Sequence, residues 1–147
     1  MKKIIAILLA CVMAFSFASC GMLPGDKGSE KIAVDLDLGL LSSTMVYSEV
    51  YNMITNPDSY VGKVIRMKGA LATYEMQQTG EVYFACIIAD ATACCSQGVE
   101  FVPKAEYTYP DDFPEPYSQV EVIGTFEIFE REGVQLIRLT DCTVTAI

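Results

Sequence analysis

One helical pattern followed by five strand patterns predicts a mainly β domain, a small closed five-stranded barrel preceded by one helix. Three observations carry this expectation. Residues 40–54 hold apolar side chains at helical spacing, and from residue 65 onward the apolar positions recur with period two. Two long strand segments place Gly69 and Gly124 in the apolar phase, where a strongly curved strand bends. A length of 147 residues is enough for one core.

The helix is read from Leu40 to Ile54, because Val46, Val50, Met53 and Ile54 fall at i, i+4, i+7 and i+8. Ser42 or Ser43 can cap its start, and Asn56-Pro57 stops it. Ile65, Met67 and Leu71 then alternate with Arg66, Lys68 and Ala70, with Gly69 on the inner face. Val82 to Asp90 is apolar on both faces and reads as a central strand. Cys94 to Val102 is the third, with Val99 and Phe101 inward and Glu100 outward. The proline- and acid-rich stretch Tyr107–Tyr117 follows and cannot be an interior strand. From Val120 to Glu130, Val122, Gly124, Phe126 and Ile128 share a face, and Arg131-Glu132-Gly133 is a hairpin turn. In the last strand, Gln135 to Ile147, Ile137 and Leu139 are out of phase with Val144, which predicts a bulge near Asp141. Five such strands close most readily as a barrel of the OB type, which leaves no exposed edge; an open sandwich is the alternative. Tyr47, Tyr51, Tyr60, Tyr83, Phe84, Phe101 and Phe126 fall on core or near-core phases.

Residues 1–19 read as a signal peptide: Lys2 and Lys3, an uncharged run from Ile4 to Ser16, then small residues. Phe17-Ala18-Ser19-Cys20 resembles a bacterial lipobox, with Phe17 where Leu is usual. Cys20 is therefore expected to carry diacylglycerol and become the mature N-terminus, a two-chain anchor that holds the protein on the extracellular side of the cell membrane. Residues 20–31 read as lipidated cysteine plus flexible tether, and residues 32–147 as the helix and barrel domain. Removal of residues 1–19 takes two lysines and no acid, so a net charge of -9 becomes -11. Of six cysteines, Cys86, Cys94, Cys95 and Cys142 remain for the fold.

The run from Asn56-Pro57 through Tyr60, Gly62, Lys63 and Val64 to Gly69 resembles the opening of OB-type domains. A closer agreement, through Asp35-Leu36-Asp37, Met45-Val46-Tyr47, Asp90–Phe101 (DATACCSQGVEF) and Tyr109-Pro110-Asp111, is with an uncharacterised family of Gram-positive lipoproteins. A looser one is with the OB-like C-terminal domain of YcgQ-like, permease-associated membrane proteins. These resemblances imply a barrel and a surface address, and no activity.

Composition narrows the chemistry. The chain has no histidine, which removes the commonest general base, the His-dependent nucleophile systems and every His-containing zinc site. An excess of acids, 19 against 10 basic residues, removes the clustered cations that nucleic-acid binding needs. No enzyme activity, no nucleic acid and no resident cofactor are expected. The distinctive feature is Cys94-Cys95. Adjacent residues in a regular strand point to opposite faces, but at a strand start or bulge both sulfurs can converge, with Asp90 and Glu100, Cys86 or Cys142 completing a set that suits zinc. Buried core thiols or one disulfide are the competing readings. Asp35 and Asp37 share a face if extended and, with Asp90, form a calcium candidate set against the simpler reading of solvated acids. The Tyr107–Tyr117 loop, with Tyr109, Asp111, Asp112 and Tyr117, is a candidate recognition loop for an envelope protein or peptide.

Overall fold

The computed structural model describes residues 32–92 and 94–147. The residues read as signal peptide, lipidated Cys20 and tether lie outside the described residues. Residues 32–147 form one compact unit. Its elements are β1 (Leu36–Asp37), a short 3-10 turn (Leu38–Leu40), helix α1 (Ser43–Thr55), a second 3-10 turn (Pro57–Ser59), and strands β2 (Val64–Glu75), β3 (Val82–Ala89), β4 (Ser96–Pro103), β5 (Gln119–Arg131) and β6 (Val134–Ala146).

Strand order β2-β3-β4-β6-β5, with β5 pairing back onto β2, closes a five-stranded barrel. Within the barrel all pairings are antiparallel except β4 with β6, as in an OB-like barrel. Closure depends on β2 serving two partners. Its first half, Val64 to Ala70, pairs with β5 and its second half, Ala70 to Glu75, with β3. The strand must turn sharply where it changes partner, and Gly69 sits there, so close to the Ile87 carbonyl and Cys86 Sγ that no Cβ fits. The two-residue β1 pairs in parallel with β2, an element too short to leave a periodic signal in the sequence.

Period-two burial follows the expected phases. Ile65, Met67 and Leu71 from β2, Phe84, Cys86 and Ile88 from β3, Val99 and Phe101 from β4, and Val120, Val122 and Phe126 from β5 fill the core. Leu139, before the bulge, and Cys142 and Val144, after it, complete it from β6. Thr125 lies opposite Thr140 but Ile123 lies opposite Thr143, so β6 carries one extra residue across from Gly124. Asp141 takes the left-handed conformation there, φ 53°. That re-aims Cys142 inward over Gly124. The β5–β6 hairpin turns through Glu132 and Gly133, both at positive φ, the two-residue turn whose twist matches the flanking strands.

Helix α1 buries Val50 and Met53, with Val46 partly covered. Ile54, expected on the same face, is exposed, because it lies one step round from the buried Met53, at the edge of the face that the barrel covers. Tyr51 is also exposed, against its expected core position, since it lies one step round from Val50 on the solvent side. Tyr47 and Tyr83 are half-buried, whereas Tyr60, Phe84, Phe101 and Phe126 are buried. Ser42 occupies the cap position without a side-chain hydrogen bond to the helix. Among the described residues no helix is long and apolar enough to cross a membrane.

Cys86 and Cys142 are free thiols in the core, and burial pushes both up to about 12. The thiolate is the reactive species, so at pH 8 both are inert in the folded chain. Native alkylation followed by peptide mapping is expected to label Cys94 and Cys95 and to reach Cys86 and Cys142 only in denaturant. Rapid native labelling of Cys86 or Cys142 would contradict this packing.

Candidate functional site

Two places on this barrel gather chemistry. The first is the turn from β3 to β4. The ladder ends at the pair Ala89 and Ser96, and the chain between them folds around the Asp90 side chain. Asp90 Oδ1 accepts from the backbone N–H groups of Thr92 (3.1 Å) and Cys94 (3.0 Å), and the Asp90 N–H donates to the Cys95 carbonyl (2.9 Å). Thr92 Oγ1 donates to the same carboxylate. Cys94 and Cys95 thus precede β4 rather than starting it, which frees both sulfurs from the alternation of a strand. Cys94 Sγ donates to Asp90 Oδ2 at 3.3 Å and lies 3.7 Å from Cys95 Sγ. One oxygen of Asp90 and the two sulfurs all fall within 4.8 Å of one another.

Desolvation raises the Asp90 carboxyl, but hydrogen bonds from Cys94, Thr92 and the backbone outweigh it and hold it below the usual carboxylate value. Cys95 is pushed up by its hydrogen bond with Cys94, then by desolvation and the Asp90 charge. Both thiols are exposed and free.

Glu100, grouped with this pair on sequence grounds, points elsewhere: it accepts a bidentate pair of hydrogen bonds from Arg131, at 2.7 and 2.9 Å. Cys86 and Cys142 are in the core. Asp35 accepts from the Val64 N–H and Asp37 pairs with Arg66 at 2.9 Å, so neither joins Asp90 and the calcium grouping is not assembled.

The second place is the outer face of β3, β4, β5 and β6. Arg131 lies over the rings of Tyr83 (4.6 Å) and Phe129 (5.0 Å), and Arg138 lies over the same Phe129 ring, 4.3 Å from its centroid. Arg138 also pairs with Glu127. Each guanidinium therefore has a carboxylate partner and an aromatic one. Tyr83, Glu100, Val102, Arg131 and Arg138 line a groove of about 240 Å³. Sequence reasoning did not single out Tyr83, Phe129, Arg131 or Arg138 as a site. Their outward phase was available in each strand, but the parallel pairing of β4 with β6 that brings Glu100 beside Arg138 was not.

The Tyr107–Tyr117 loop is built into the barrel. Phe113 stacks on Phe84 with centroids 4.5 Å apart, Tyr109 meets both rings edge-on, and Tyr107 Oη accepts from the Val144 N–H. Asp112 is spent on the loop itself, accepting from the Thr108 N–H at 2.8 Å. Asp111 and Tyr117 are exposed; the Tyr117 backbone N–H is tied to the Leu71 carbonyl at 2.7 Å, which leaves its ring in solvent. In comparisons with known proteins the chain matches no family model and no curated protein.

Proposed function

We propose that this protein is a non-enzymatic binding module, held on the extracellular face of the membrane by lipid on Cys20, that recognises an envelope protein or peptide through the outer barrel face. The observation that carries the reading is the groove between Tyr83, Arg131 and Arg138. Its volume, about 240 Å³, is below that of pockets that enclose a whole small molecule, and suits one or two side chains of an extended segment. Aromatic rings backed by guanidinium groups are the composition of interface anchors, because they bury large area with little entropy loss and keep a polar edge for specificity. The paired charges suppress nucleic acid as a partner: the two arginines are already matched by Glu100 and Glu127. Catalysis has little to build on. With no histidine, the commonest general base is missing.

The test is site-specific photo-crosslinking on intact cells, with the crosslinker at Tyr83 and, as control, at the exposed Val61 away from the groove. The expected result is a protein captured from Tyr83 and not from Val61, with capture falling at least about tenfold in Arg131→Ala, the loss typical of an interface anchor. Identical captures from both positions, or none from Tyr83, would refute the reading.

A further inference from the structure

We infer that Asp90, Cys94 and Cys95 form a binding site for a thiophilic divalent cation of the zinc class, independent of the outer-face groove. The argument is geometric. An ion bound tetrahedrally, with sulfur at about 2.3 Å and carboxylate oxygen at about 2.0–2.2 Å, sets sulfur–sulfur edges of about 3.8 Å and sulfur–oxygen edges of about 3.5–3.7 Å. The turn already holds Cys94 Sγ 3.7 Å from Cys95 Sγ and 3.3 Å from Asp90 Oδ2. Two of the three edges therefore stand close to the required spacing before any ion arrives, and the third, from Cys95 Sγ to the Asp90 carboxylate, lies within 4.8 Å. The thiol proton that Cys94 now directs at Asp90 lies between donors that an ion would bridge.

The rest of the turn supports that role. Asp90 Oδ1 is fixed by the backbone N–H groups of Thr92 and Cys94, so Oδ2 is held toward the sulfurs without a further entropy cost. Thr92 Oγ1 lies 3.1 Å from Cys94 Sγ, so its single proton, directed at Asp90 in the free turn, can rotate to a coordinating sulfur, the kind of outer-sphere contact that orients metal ligands. Adjacent cysteines in a strand could not do this, and the turn places them just before β4 begins. The donor set also selects the ion: two sulfurs and one carboxylate favour Zn²⁺ or Cd²⁺ over Ca²⁺ and Mg²⁺, which take oxygen ligands. Binding exchanges the two thiol protons, released to solvent, for the divalent ion. With three protein donors on an exposed turn, the fourth position stays open to water or to a ligand from another molecule.

The test uses the full chain in detergent, reduced and stripped of metal, titrated with Zn²⁺ alone and then with Cd²⁺, whose thiolate bonds absorb in the ultraviolet. One Zn²⁺ per chain is expected, together with a Cd–thiolate band. Cys94→Ser and Cys95→Ser should each weaken Zn²⁺ binding by about 100-fold and diminish that band, and Asp90→Asn, which keeps the backbone hydrogen bonds, by about tenfold. Circular dichroism of each variant separates loss of a ligand from loss of fold. No bound Zn²⁺ at micromolar concentration with both thiols titratable, or equal binding by the cysteine variants, would overturn the site. Binding unchanged in Asp90→Asn would overturn the three-donor arrangement.

Discussion

Gly124→Ala is expected to lower the unfolding free energy by about 3 kcal/mol, and Gly69→Ala by at least as much, at the upper end of what overpacking a core costs. Both glycines are approached by other atoms where a side chain would stand. A Cβ on Gly124 would fall closer than 3.0 Å to Cys142 Sγ and 2.8 Å from the Thr140 carbonyl; one on Gly69 would fall inside contact distance of the Ile87 carbonyl and 2.8 Å from Cys86 Sγ. The difference in the nearest neighbour gives a sharper expectation. At Gly124 it is a side-chain sulfur, so Gly124→Ala with Cys142→Ala should be more stable than the sum of the two changes, by about 1 kcal/mol of coupling. At Gly69 it is backbone, so adding Cys86→Ala should recover little. Equilibrium urea unfolding of the four single and two double variants measures all of this. A cost below about 1 kcal/mol at both glycines would mean that β2 does not bend, and β6 does not bulge, where the structure has them.

Much of this architecture is legible in the residues, and the limits of legibility have a physical cause. Burial acts locally on every second side chain, so the phases of Ile65, Val99, Phe101 and Val122 can be read without knowing which strands are neighbours. The bulge at Asp141 is legible for the same reason, as a break of phase between Leu139 and Val144. Pairing between distant strands leaves no such local trace. The Arg131–Glu100 contact spans 31 residues and depends on the order in which five strands close, so the groove it lines had to be seen in three dimensions. The Cys94-Cys95 turn is intermediate. Its unusual composition was visible, whereas the assignment of both cysteines to a strand was off by two residues, because the Asp90 carboxylate captures backbone N–H groups that a strand would have used. Ile54 and Tyr51 show the converse: helical spacing indicates a face, but how much of it the barrel covers is set by where the helix docks.

Phe84→Ala should be the most disruptive single truncation with a local consequence that can be read separately. Phe84 is buried to 8 % exposure and contacts three other rings: Phe101 at 5.7 Å, Tyr109 at 5.5 Å and Phe113 at 4.5 Å. Removing it leaves a cavity in the core and takes away the surface on which the Tyr107–Tyr117 loop is stacked, so a loss of about 3–5 kcal/mol is expected. The loop should respond more than the barrel. It has only a few ties besides these rings, among them Tyr107 Oη to the Val144 N–H and the Tyr117 N–H to the Leu71 carbonyl. Hydrogen exchange in Phe84→Ala should therefore rise at Phe113 and Val144 under conditions where the β5–β6 ladder is still protected. Phe84→Leu fills most of the volume without the stacking, and should return most of the global stability while the loop stays loosened. Equal protection of the loop in all three chains would show that its shape is set by its prolines and its Asp112 hydrogen bond alone, and that the aromatic cluster is not what fixes it to the barrel.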